Sequence, residues 1–136
     1  MSNAYGVAIR IETAKKAAAA ALSEARRNNW TMAVAVVDPG GHLVYFERMD
    51  DTQAGSATVA QDKARSAALF KRPTKAFQDT LAAGGDGFRV LGIRGAVPVE
   101  GGLPLIVDGA IGGGIGVSGG TSQQDGQCAK AGVEAI

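Results

Sequence analysis

The alternation of apolar and polar positions divides the chain into short blocks. Over residues 12–28, with Ile11 just before, Ile11, Ala14, Ala18, Ala21, Leu22 and Ala25 fall on one face at helical spacing. Lys15, Lys16, Glu24, Arg26 and Arg27 lie largely outside that face, and Asn28-Asn29 ends the helix. Met32–Val37 is a valine-rich apolar run of strand length. Asp38-Pro39-Gly40-Gly41 follows, where proline presets φ and glycine admits positive φ, so the chain turns and returns as a second strand, His42–Arg48. A second helix is predicted over 57–71, capped by Ser56, with a seam of Ala60, Ala64, Ala67 and Ala68. Pro73 suits a first helical turn, which predicts a short helix over 73–82 and then a loop at Gly84–Gly87.

Residues 96–99 read as a short edge strand, because Pro98 has no N–H to give a ladder. Leu103–Val107 and Ala110–Val117 flank Asp108-Gly109, a two-residue hairpin signal. Thr121 or Ser122 then caps a helix running to the end, with Cys128, Ala131 and Ala135 at helical spacing. The order α-β-β-α-α-(β)-β-β-α, with two hairpins between helices, predicts an antiparallel α+β sheet rather than a parallel doubly wound one.

The length of 136 residues suits one domain and one core. Lys plus Arg number 14 against 13 Asp plus Glu, which gives no electrostatic reason to expect nucleic acid or an acidic membrane surface. No apolar run is long enough to span a membrane, and the first residues lack the basic-then-apolar pattern of a secretion signal, so the cytoplasm is the expected compartment. The lone Cys128 excludes an internal disulfide. Twenty glycines and alanine-rich helices build a core of small side chains, each burying little area. Burial between subunits would offset that, which predicts a homo-oligomer.

The chemistry-bearing positions are few, and each has a plainer reading. His42, the only histidine, sits at the hairpin bend and could ligate iron, move a proton, or simply brace the turn. With one histidine and one distant cysteine, a zinc site is not expected. Arg48 could clamp a carboxylate or pair with Asp50 at the strand end. Lys63, beside Asp62 and Arg65 on the second helix, is a second cation if it faces the hairpin and a solvated lysine if it does not. Glu100, between Val99 and Gly101-Gly102, is the best placed carboxylate for proton transfer. Gly112–Gly120 contains a G-x-G-x-x-G pattern, but inside a hairpin strand and with no Lys-Ser/Thr after it, so a phosphate loop is not supported. Gly113 and Gly114 mark instead a flat strand on which a helix, a subunit or a planar ligand can pack. Ser118 opens a turn into a helix N-terminus whose free N–H groups could hold an anion or be capped locally.

Met32–Asp50 (with AVVDPGGHLVYFERMD), Asp62-Lys63-Ala64-Arg65, Gly101-Gly102-Leu103-Pro104, and Asp108–Gly120 with its IGVSGG ending resemble, in order and spacing, the GlcG/HbpS-like family of haem-binding and haem-degrading-domain proteins. The resemblance covers nearly the whole chain. It implies a profilin-like α-β-α sandwich with a five-stranded antiparallel sheet, and a dimer-based oligomer of up to eight subunits. It also implies a small-molecule ligand, haem or a related tetrapyrrole, with His42 the one residue in a matching motif able to ligate iron. The Gly112–Gly116 strand would pack on the ring, with Arg48 or Lys63 on a propionate. Other family members sit in catabolic operons for glycolate or aromatic acids, and some resemble cofactor-free enzymes. That implies a lyase or isomerase acting on a small carboxylic acid, with His42 or Glu100 moving the proton. An accessory oligomer without chemistry is the third reading.

Overall fold

The computed structural model describes residues 4–136. Four helices, α1 (Ile11–Arg27), α2 (Ser56–Phe70), α3 (Thr74–Ala82) and α4 (Ser122–Glu134), accompany four strands, β1 (Ala33–Val37), β2 (Leu43–Arg48), β3 (Gly102–Val107) and β4 (Ala110–Ser118). The strands form one antiparallel sheet in the order β2-β1-β4-β3. The expected five strands are therefore four. The N-terminal segment adds only an isolated bridge, Tyr5 to Ile111, beyond the end of β1. Residues 96–99 form no strand either: the Val97 N–H goes to the Ser66 hydroxyl at 3.1 Å, not to a neighbouring strand.

The period of two along the central strands sorts side chains onto two faces. Val34 and Val36 of β1, with Ile115 and Val117 of β4, pack against the alanine face of α1 and against Cys128 and Ala129 of α4. Ala33, Ala35 and Val37 face the other way, onto Ala60, Ala64 and Ala68 of α2. Gly114 and Gly116 of β4 belong to this second face. A Cβ at Gly116 would sit 2.0 Å from the Ala60 carbonyl oxygen, and one at Gly114 would sit 2.4 Å from that of Ala64. Glycine facing an alanine seam thus lets α2 approach the sheet at backbone distance.

Both predicted hairpins form. Asp108 and Gly109 take positive φ (52° and 80°), the primed turn that matches strand twist. At the first hairpin, Asp38 Oδ1 accepts from the N–H groups of Gly40 (2.9 Å) and His42 (3.0 Å), closing the turn. Ser56 is not a cap. It is the first residue of α2, and its hydroxyl meets those of Ser118 and the Gln53 amide instead. Pro73 precedes α3 rather than starting it, and the loop expected at Gly84–Gly87 begins a 3₁₀ segment, Gly85–Gly92.

Candidate functional site

The sheet separates the predicted site residues. The last residue of β1, Val37, pairs with Leu43 on one side and Gly114 on the other, so His42 lies just past that end on the β2 edge. Arg48 pairs with Ala33 at the opposite end of β2, about 20 Å away at strand rise. Gly102 opens β3 opposite Gly116, so Glu100 lies past that same far end, on the β3 edge. His42 and Glu100 thus occupy opposite corners of the sheet and share no proton path. Arg48 and Asp50 are exposed and make no ion pair with each other.

Lys63 is neither a solvated lysine nor a cation facing the hairpin. It is 1% exposed, and its Nζ donates to Asp125 Oδ2 at 2.7 Å and to the Val117 carbonyl at 3.1 Å. Asp125 Oδ1 in turn accepts from the Gly120 N–H at 2.9 Å. The helix N-terminus after Ser118 therefore does hold an anion, but the anion is the chain's own carboxylate. Burial pushes the Asp125 carboxyl above its ordinary range, against the hydrogen bond and charge of Lys63. Thr121 completes the turn as a capping box with Gln124. Because α2 and α4 lie on opposite faces, the Lys63–Asp125 pair ties the two helical layers together around the end of the sheet. Ser118 is buried nearby, its hydroxyl 3.2 Å from that of Ser56. Gly113 and Gly114 are buried too: a Cβ at Gly113 would meet the Val37 carbonyl at 2.1 Å, and Gly114 lies under α2. The glycine strand is spent on internal packing and offers no surface to a planar ligand.

His42 presents a different environment. Its side chain is 84% exposed, and Nδ1 lies 3.3 Å from Asp38 Oδ1. With Nδ1–H given to that carboxylate, the lone pair is on the exposed Nε2, the arrangement that orients a metal-ligating imidazole. Burial raises the Asp38 carboxyl, but the two turn N–H groups and the imidazole outweigh it and hold the carboxyl below its ordinary range. Gly41 seats the turn on α2, where an added Cβ would fall 2.9 Å from Arg65 Cγ and 3.5 Å from Leu69 Cδ2. Arg65 and Leu69 line a cleft of ≈ 470 Å³ with Asp62, Arg94, Gly95, Ala96 and Val97. Neither the Arg65 nor the Arg94 guanidinium has a hydrogen-bond or ion-pair partner among the described residues. Exposed Leu43 follows His42 on the strand. An exposed imidazole and two unpaired guanidiniums thus share this face, around a cleft whose other lining is the Asp62 carboxylate and the small or apolar Leu69, Gly95, Ala96 and Val97.

The fold is an antiparallel sheet between helical layers, with its exposed histidine on a hairpin. Relatives give that class its family. The family model described as "Haem degrading protein HbpS-like" matches residues 9–134. Protein GlcG of Escherichia coli strain K12 is 43% identical over 100 residues, 74% of this chain and 73% of that one. Among solved structures, a doubly substituted HbpS of Streptomyces reticuli superposes with a TM-score of 0.87 at 32% identity, covering 96% of this chain and 88% of that one. A PduOC:heme complex superposes with a TM-score of 0.85 at 29% identity, covering 96% of both chains. The chain belongs to the HbpS-like family, which includes haem-binding members.

Proposed function

We propose that this protein binds haem or a related tetrapyrrole at the face carrying the β1–β2 turn. The observation that carries the reading is the Asp38-braced His42, its Nε2 exposed beside the cleft that holds Arg65 and Arg94. His42 would hold the iron, and the two guanidiniums would hold the propionates. Arg48 and Lys63 do not serve: one lies at the far end of β2, and the other is buried against Asp125. Haem supplies the redox and ligand chemistry of its iron when bound. The chain contributes an oriented imidazole, cationic anchors and one wall. A second copy would cover the other face of the ring, which accords with a dimer-based assembly. The family's haem-complexed member supports the ligand class.

The reading as a lyase or isomerase, with His42 or Glu100 moving the proton, finds less support, since the two lie at opposite corners of the sheet and either would act without the other. The test is an absorbance titration with hemin, run beside His42→Ala. A saturable Soret shift, with the band displaced or lost in the variant, is the expected result. Weak, nonsaturating uptake identical in both proteins would discard haem binding and leave the lyase or isomerase and accessory-oligomer readings, separated by a screen of small hydroxy- and aromatic acids for turnover.

A further inference from the structure

A second cleft, of ≈ 270 Å³, opens at the corner of the sheet away from His42, lined by Pro73, Lys75, Glu100, Gly101, Gly102, Leu103, Gly126 and Lys130. Its charged groups are unequal. Lys75 is engaged by Asp79, with both carboxylate oxygens within 2.9 Å of Nζ. Neither the Glu100 carboxylate nor the Lys130 ammonium makes a side-chain hydrogen bond or ion pair among the described residues, and they do not bridge to each other; Glu100 feels only the charge of Lys75, whose hydrogen bonds go to Asp79. Glu100 is nonetheless held in place. Its backbone N–H donates to Gln78 Oε1 at 2.8 Å, and its half-buried side chain lies against α4 at Gly126.

Gly126 makes that position possible. Glycine inside a helix is unfavourable relative to alanine, yet Gly126 is the fifth residue of α4. A Cβ there would fall 2.4 Å from Glu100 Oε2 and 2.9 Å from its Cδ. Gly101 and Gly102 pack the floor of the cleft closely on the interior: a Cβ at Gly101 would fall 2.7 Å from Lys63 Nζ, and one at Gly102 2.4 Å from the Lys63 carbonyl oxygen. Pro73 and Leu103 add apolar walls.

From this geometry we infer that the cleft binds a small amino acid as its zwitterion, the ligand's ammonium to Glu100 and its carboxylate to Lys130. A simple acid satisfies only the lysine, and a simple amine only the glutamate. A ligand with both charges satisfies two groups that do not pair with each other.

The test is a ¹⁵N NMR titration of the whole protein with L-alanine, propionate and ethylamine. Saturable shifts at the amides of Gly101, Gly102 and Gly126 are expected. L-alanine should bind about tenfold more tightly than either half-ligand, the size of one hydrogen bond to a charged group. Glu100→Gln should bring L-alanine to the level of propionate, and Lys130→Gln to that of ethylamine. Gly126→Ala, a change that favours the helix, should still weaken L-alanine binding by displacing Glu100. Half-ligands binding as tightly as L-alanine, shifts absent or scattered over the surface, or variants indistinguishable from the parent would overturn the assignment. Hemin binding at the opposite corner is not expected to change in any of these variants.

Discussion

Replacing Lys63 by methionine removes the cation from a pair in which both side chains are almost fully buried (1% and 4% exposed) and leaves the Asp125 carboxylate in place. The remaining support for that carboxylate is the backbone at Gly119 and Gly120. Stranding one member of a buried pair costs about 3–5 kcal/mol. Asp125→Asn should cost a similar amount, since Lys63 would lose its counter-charge and the one remaining side-chain oxygen could not serve both Lys63 and the Gly120 N–H. Lys63→Met combined with Asp125→Leu should recover most of the loss, because an apolar pair of similar volume needs no compensation. Urea unfolding at fixed protein concentration, followed by Trp30 fluorescence, measures all four proteins. The pH dependence has a definite sign. The folded Asp125 carboxyl binds its proton at higher pH than the unfolded one, so between those values the folded state holds more protons and acidification favours folding. Without Lys63 that window widens upward, and the deficit of Lys63→Met should be smaller at about pH 5 than at about pH 7. A deficit under about 1 kcal/mol, or a double variant no more stable than Lys63→Met alone, would refute the view that this pair ties the helical layers.

Three further outcomes follow from the packing. Gly116→Ala places a methyl 2.0 Å from the Ala60 carbonyl and should destabilise the fold by about 1–3 kcal/mol, read by urea midpoint; an unchanged midpoint would mean that α2 is free to shift. Cys128 is fully buried, and burial pushes its thiol up to about 12, so iodoacetamide should label it only as fast as the protein unfolds. Labelling faster than unfolding would show a local opening of α4. Thr121→Ala removes one half of the capping box and should cost about 1 kcal/mol, seen as a lowered melting temperature.

The hairpins were legible because their turns are written in residue types: Asp108-Gly109 and Asp38-Pro39-Gly40-Gly41 admit few other conformations. The helices were legible from their alanine seams. Lys63 was misread although its position held the signal, since it lies between Ala60 and Ala67 on the apolar seam, where a lysine needs a buried counter-charge. That counter-charge, Asp125, was missed because it lies 62 residues away and is brought close only by layer packing. Arg65 carries no signal in the sequence beyond its place beside Lys63. Arg94 carries no signal in the sequence, because it follows the 3₁₀ segment Gly85–Gly92, which neither the α-helical nor the strand period marks. The strand expected at 96–99 failed for a related reason: one serine hydroxyl on α2 takes the N–H that a ladder would have used.

The central claim is that an acidic tetrapyrrole is held at the His42 corner by Arg65 and Arg94. Hemin affinity measured for Arg65→Gln with Arg94→Gln, beside Arg48→Gln, tests it most directly. The account predicts a loss of about tenfold or more in the first protein, as expected when two charge-assisted anchors are removed, and none in the second. Undiminished affinity in the first, or a loss confined to Arg48→Gln, would contradict it and move the site to the other end of β2.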